Sequence, residues 1–127
     1  AVPLSVGIVR TDPRPLLIEA LERHLDREEW VYVLNQSMIQ VVALSMPAAP
    51  HQPSAESVKA FLLEPGQGVI MDRGVWHSAG LPVGDQSVYY GFVLGRSRSD
   101  TGAEGNPWVP FAGHERVVLE VQPRSGR

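Results

Sequence analysis

The stretch Gly66-Gln-Gly-Val-Ile-Met-Asp-Arg-Gly-Val-Trp-His77 sets a fixed cation, Arg73, four residues before a titratable imidazole, His77, with a glycine between them. An arginine can grip a carboxylate through two parallel N–H bonds, and an imidazole exchanges protons near neutral pH. The pair therefore suits proton transfer on a small carboxylate. A second polar run, Glu22-Arg23-His24-Leu25-Asp26-Arg27-Glu28-Glu29, leads directly into the apolar Trp30-Val31-Tyr32-Val33-Leu34. Two such runs, each tied to a strand, predict one shared pocket. His77, His24 and Glu29 are its candidate proton-transfer groups, and Arg73 and Arg23 its candidate anion holders.

Other reactive residue types carry less. Strand alternation turns Trp76 away from whatever His77 faces, which makes it core. Ser78 has no Gly-x-Ser-x-Gly context, so serine nucleophile chemistry is set aside. His51 lies between prolines and His114 near the last strand; both read as surface residues. Met38, Met46 and Met71 read as gap-filling core or rim. Ten of the eleven basic residues are arginine, and the single lysine, Lys59, falls in a predicted surface helix. Schiff-base chemistry has no good candidate.

The elements that position these groups are short β-rich runs: Val6 to Arg10, Trp30 to Leu34, Ile39 to Leu44, Val69 to Met71, Val75 to His77, Val88 to Leu94 and Val117 to Val121. Glycine, proline, asparagine or aspartate separates them, as in an antiparallel sandwich or barrel. The prolines of Arg10 to Pro15 and of Pro47 to Pro53 predict an extended connector and a loop. One short helix is predicted from Ser54 to Phe61, with Ser54 as N-cap, Glu56 in the first turn, and Val58, Phe61 and Leu62 facing inward. Leu16 to Leu25 fits a helix by periodicity and a bulged strand by context. Ser97 to Pro107 reads as a mobile loop.

The 127 residues fit a single domain, 1–127, large enough for a core. Eleven basic and fourteen acidic residues, spread along the chain, leave a net charge of -3 and no patch that would grip a phosphate backbone. Nucleic acid is not an expected partner. With no cysteine there are no disulfides, thiolate metal sites or thiol nucleophile. No apolar run approaches the ~20 residues of a membrane helix and the start carries no charged leader, so a cytoplasmic protein with no membrane partner is expected.

With these elements in place, Leu21-Glu-Arg-His24, Glu29, Val41-Val42-Ala43-Leu44, Ala60-Phe61, Gly66-Gln67-Gly68-Val69 and Arg73-Gly74-Val75-Trp76-His77 resemble the ureidoglycolate lyase family in one register over residues 6 to 96. The resemblance implies an all-β, cupin-type antiparallel β-barrel, jelly-roll-like, with one short helix. It implies a homodimer that splits ureidoglycolate into glyoxylate and urea in the allantoin branch of purine breakdown. Several family positions differ. Arg-His-Pro and Gln-Ala-Phe become Arg23-His24-Leu25 and Glu29-Trp30-Val31. Gly-Val-Asn-Tyr becomes Gly68-Val69-Ile70-Met71, His-His becomes His77-Ser78, and Asp-Arg becomes Gly95-Arg96. Family members also carry further N-terminal residues.

Ureidoglycolate is a carbinolamide. Its cleavage needs a base for the hydroxyl proton, an acid for the departing urea nitrogen, and a cation for the carboxylate. His77 suits the first or second role, His24 or Glu29 its counterpart, and Arg73 the third. The cupin metal pattern offers a different use of the same region. His24, Asp26, Glu29 and His77 form a mixed N/O set that Mn²⁺, Fe²⁺, Ni²⁺ or Zn²⁺ would accept. The residues leave open whether an ion is used. Two rival readings follow: a metal-dependent cupin acting on another small carboxylate, and a non-catalytic cupin that binds one.

Overall fold

The computed structural model describes residues 3–95 and 106–122. The chain runs through β1 (Leu4–Thr11), β2 (Leu17–Ile18), β3 (Ala20–Leu21), β4 (Glu29–Val33), β5 (Met38–Ala43), β6 (Ser45–Met46) and β7 (Ala49–Pro53). It continues through β8 (Lys59–Leu63), β9 (Gly68–Met71), β10 (Trp76–His77), β11 (Leu81–Pro82), β12 (Val88–Gly95), β13 (Val109–Pro110) and β14 (Val117–Val118). One antiparallel sheet has the order β1-β12-β4-β9. In the other, β8 pairs along one edge of β5 while β10 and β11 share its opposite edge. Three two-stranded pairs, β13-β3, β14-β2 and β6-β7, complete the set. The expected all-β class is what forms. The described strand pairings make two sheets around a common interior, in the manner of a jelly roll, rather than one closed ring of ladders.

The sequence pattern explains which faces meet. Strand β4 reads Glu-Trp-Val-Tyr-Val, so Glu29, Val31 and Val33 share one face while Trp30 and Tyr32 share the other. Val31 and Val33 pack with Met71, Val88 and Tyr90 of their own sheet and with Met38 and Leu63 of the other, which makes the intersheet core. Strand β5 is covered on both sides, because Ile39, Val41 and Ala43 form a second core with Ile18, Leu21, Trp76, Leu81 and Phe111. A strand buried on both faces reads as a continuous apolar run, and Gln40 is the polar exception within it.

Three expectations are corrected. The helix over Ser54 to Phe61 is a single 3₁₀ turn, Ala55–Ser57, and the Ser54 side chain caps nothing. Lys59–Leu63 instead pairs with β5, and Phe61 and Leu62 are 46% and 55% exposed rather than a buried helix face. Edge pairing on β5 outweighs the local helical propensity of this segment. The loop over Pro47 to Pro53 contains β7, which pairs with β6 across an irregular register, as prolines allow in short edge strands. The last strand stops at Val118. Leu16 to Leu25 resolves as the short strands β2 and β3. Most of Ser97 to Pro107 lies outside the described residues, as does Arg96.

Candidate active site

Two neighbouring segments build the site. His77 N–H donates to the Glu22 carbonyl at 2.8 Å, Glu22 N–H returns a bond to the His77 carbonyl at 3.1 Å, and Gly74 N–H donates to the His24 carbonyl at 2.7 Å. This antiparallel pairing puts Glu22 and His24 on one face and Arg23 on the opposite one. The turn that aligns them is closed by Val75 N–H on the Asp72 carbonyl at 3.2 Å, with Gly74 at φ 78°. A β-turn with positive φ at its third residue favours glycine there. Glu29 arrives from the other sheet, at the start of β4 opposite Leu94 and Met71.

These side chains converge in a cavity of about 240 Å³ between the sheets. Glu29 Oε1 lies 3.1 Å from His24 Nε2 and 3.6 Å from His77 Nε2. The two imidazole centroids are 5.2 Å apart. Ligand atoms of Glu22, His24 and His77 all fall within 4.8 Å of one another. Val31, Met71, Phe92 and Trp108 supply apolar wall, and Gln40, Ser78 and Tyr90 add polar groups.

Burial sets the charge states. It holds the pKa of His77 below the ordinary histidine value, against the pull of Glu29, so the imidazole is a neutral base near pH 7. His77 Nε2 is sealed from solvent and has no hydrogen-bond partner. Burial also pushes the Glu22 carboxyl above the ordinary carboxylate value. Arg27, itself buried, donates from Nη2 to His24 Nδ1 at 2.9 Å and from Nη1 to Asp26 Oδ1 at 2.7 Å. Tyr90 accepts from Gly80 N–H at 3.1 Å, and burial raises its pKa. A Cβ on Gly80 would press on the Met38 thioether and the Tyr90 ring, so a side chain there would force them to shift.

The structure thus brings His24, Glu29 and His77 together, and separates them from the other candidates. Arg73 sits exposed on the turn and does not line the cavity, where it was expected to hold the anion. Arg23 faces the far side, 4.4 Å above the Trp76 ring and donating to Ser45 Oγ at 3.1 Å. Alternation about the Glu22–His77 bridge is the cause. Asp26 falls in a bend outside the cavity, and Glu22 occupies the place given to it in the metal set. Trp76 is core as expected, and His51 and His114 are exposed. Glu22, Arg27 and Gln40 are additions. The Glu22-x-His24 spacing was a usable signal, since a two-residue step in a strand shares a face.

Two sheets enclosing a histidine–carboxylate cluster define a cupin-type domain. Solved structures agree. An oxalate oxidase superposes with TM-score 0.55 at 15% identity over 86% of this chain and 46% of that one. A cupin-superfamily sugar phosphate isomerase from Silicibacter pomeroyi does so with TM-score 0.52 at 17% identity over 74% and 51%. At these identities the likeness shows the fold alone. The sequence is more specific: residues 4–106 match the family model described as ureidoglycolate lyase. A ureidoglycolate lyase from Azotobacter vinelandii is 34% identical over 121 residues, covering 94% of this chain and 67% of that protein. The chain belongs to the ureidoglycolate lyase family.

Proposed function

We propose that this chain cleaves ureidoglycolate, a small 2-hydroxy acid, to glyoxylate and urea, as a cytoplasmic lyase of purine breakdown. The observation that carries the reading is Glu29 set between two imidazoles in a largely apolar-walled cavity between the sheets. His77, neutral and with a free Nε2, takes the hydroxyl proton. The oxygen electron pair closes the aldehyde carbonyl as the C–N bond breaks, and the urea nitrogen takes a proton. His24 keeps its own proton: Arg27 can only donate, so His24 Nδ1 must accept and the proton resides on Nε2, pointing at Glu29. Glu29, positioned by that bond, relays the proton from His77 to the urea nitrogen.

No lysine or arginine lines the cavity among the described residues, while two carboxylates do. An anionic substrate needs a positive charge there. Glu22 and His77 fit a divalent ion by donor type and by the orphaned His77 Nε2, and His24 completes the set. Bound there, such an ion would neutralise the substrate carboxylate and polarise its hydroxyl. His24 would ligate through Nε2 only in its other tautomer, with Arg27 turned away from Nδ1.

The same reading includes a homodimer. The outer face of the β1-β12-β4-β9 sheet exposes Leu4, Val6, Ile8, Trp30, Tyr32 and Ile70. Strand register places these side chains on neighbouring rows, a contiguous apolar face of the kind that marks an association surface. Release of glyoxylate and urea above the spontaneous rate tests the activity.

A further inference from the structure

Gln40 is 1% exposed on the face of β5 that otherwise presents Met38 and Val42 to the intersheet core. A primary amide in such a setting is costly unless its polar atoms are used. Its Nε2 donates to the Ser78 carbonyl at 2.8 Å and to the Val41 carbonyl at 3.2 Å. Both partners are pure acceptors, so the amide orientation is fixed: the NH₂ must face them and Oε1 must face the other way. The Ser78 segment is itself pinned, with Ser78 N–H on the Val41 carbonyl at 3.1 Å and Ser78 Oγ donating to the Ala79 carbonyl at 2.7 Å. Oε1 is not among the sealed, partnerless atoms, and no described residue donates to it. Gln40 lines the His24–Glu29–His77 cavity. It also borders a second cavity of about 290 Å³, lined mainly by Val42, Phe61, Val69 and Val75 with Asp72 as its charged member.

We infer that Gln40 Oε1 is a fixed acceptor that reads an N–H of the substrate's ureido group, and so selects ureido acids over plain 2-hydroxy acids. The inference rests on the proposed function and deepens it. A site built to accept an N–H loses a hydrogen bond when the ligand lacks one, which discriminates more strongly than a change of size.

The test compares two unreactive probes by calorimetry on the full chain: N-carbamoylglycine, which carries the ureido group, and glycolate, which carries the hydroxyl and carboxylate without it. Gln40→Met, close in shape but without the acceptor, is expected to weaken N-carbamoylglycine about tenfold, the scale of one lost hydrogen bond. Glycolate affinity should stay within about twofold in the same variant. Gln40→Glu, protonated because it is buried against two carbonyls, keeps a donor toward Ser78 and an acceptor toward the cavity, and should retain the preference. Equal weakening of both probes, or no change in either, overturns the inference. So does a failure of the wild-type protein to prefer N-carbamoylglycine. Turnover of ureidoglycolate by a wild-type protein whose preference ignores Gln40 sinks this inference and leaves the lyase standing. A Gln40-dependent preference without turnover does the reverse.

Discussion

Arg27 Nη2 lies 2.9 Å from His24 Nδ1, and this contact sets the protonation pattern of the cavity. A guanidinium has no acceptor, so the imidazole must offer its lone pair at Nδ1 and carry its proton at Nε2. That proton faces Glu29 Oε1 at 3.1 Å. Orienting a catalytic imidazole through its second nitrogen is a general way to fix its tautomer.

Replacing Arg27 by Met should therefore free both His24 tautomers. Nitrogen-15 NMR of histidine-labelled protein should show protonated Nε2 at His24 in the wild type and an averaged signal in the variant. Turnover should fall on the order of 10²-fold if positioned proton transfer is lost. A wild-type His24 protonated at Nδ1 would contradict the assignment.

The pH dependence of stability has a defined sign. An unfolded His77 titrates near 6.5, while burial lowers its folded pKa. As pH falls below 6.5 the unfolded chain takes up the proton first, so stability drops until the folded pKa is passed. Glu22 acts oppositely: its raised folded pKa favours the fold below 4.5, and that advantage is lost as pH rises through the folded value. Denaturant midpoints of chelator-treated protein should show the acid-side loss shrinking in His77→Gln and deepening in Glu22→Gln. An unchanged slope in His77→Gln would remove burial of this imidazole as its cause.

Metal uptake separates Glu22 from Asp26. Calorimetric titration of stripped protein with Ni²⁺ or Mn²⁺ should weaken by at least about tenfold in Glu22→Gln, as loss of a ligand costs no less than loss of its supporting contacts. Asp26→Asn removes a half-exposed carboxylate that lies outside the cavity, so its affinity should stay close to wild type. The reverse ranking would restore Asp26 to the metal set.

The outer sheet face predicts association. Trp30→Glu, at an exposed position on β4, should convert a dimer to a monomer by light scattering while leaving the melting temperature of the monomer fold largely intact. Wild-type protein that is monomeric at all concentrations would contradict this.

Much of this was legible in the chain. The all-β class followed from short alternating runs, and the nearness of His24, Glu29 and His77 could be anticipated because each adjoins a strand start or end. Arg73 and Asp26 misled because a charged residue next to a turn reads the same whether it points in or out. Only the Glu22–His77 bridge decides, and it pairs residues from two segments far apart in the sequence. Arg27 was hidden for a similar reason. Its burial depends on packing under Gly95 at the end of β12, where a Cβ would sit 3.6 Å from Arg27 Cδ, a contact no local pattern encodes. The helix over Ser54 to Phe61 failed where local propensity met the unpaired edge of β5.

The central claim is proton transfer on ureidoglycolate by the His24–Glu29–His77 cluster. The most direct measurement is NMR of the purified chain with ureidoglycolate, following glyoxylate and urea against the spontaneous rate, in wild type and His77→Ala. The account predicts release well above background by the wild type and a loss of about 10²- to 10⁴-fold in a folded His77→Ala. Release at the spontaneous rate by wild type, or full activity in His77→Ala, would contradict it.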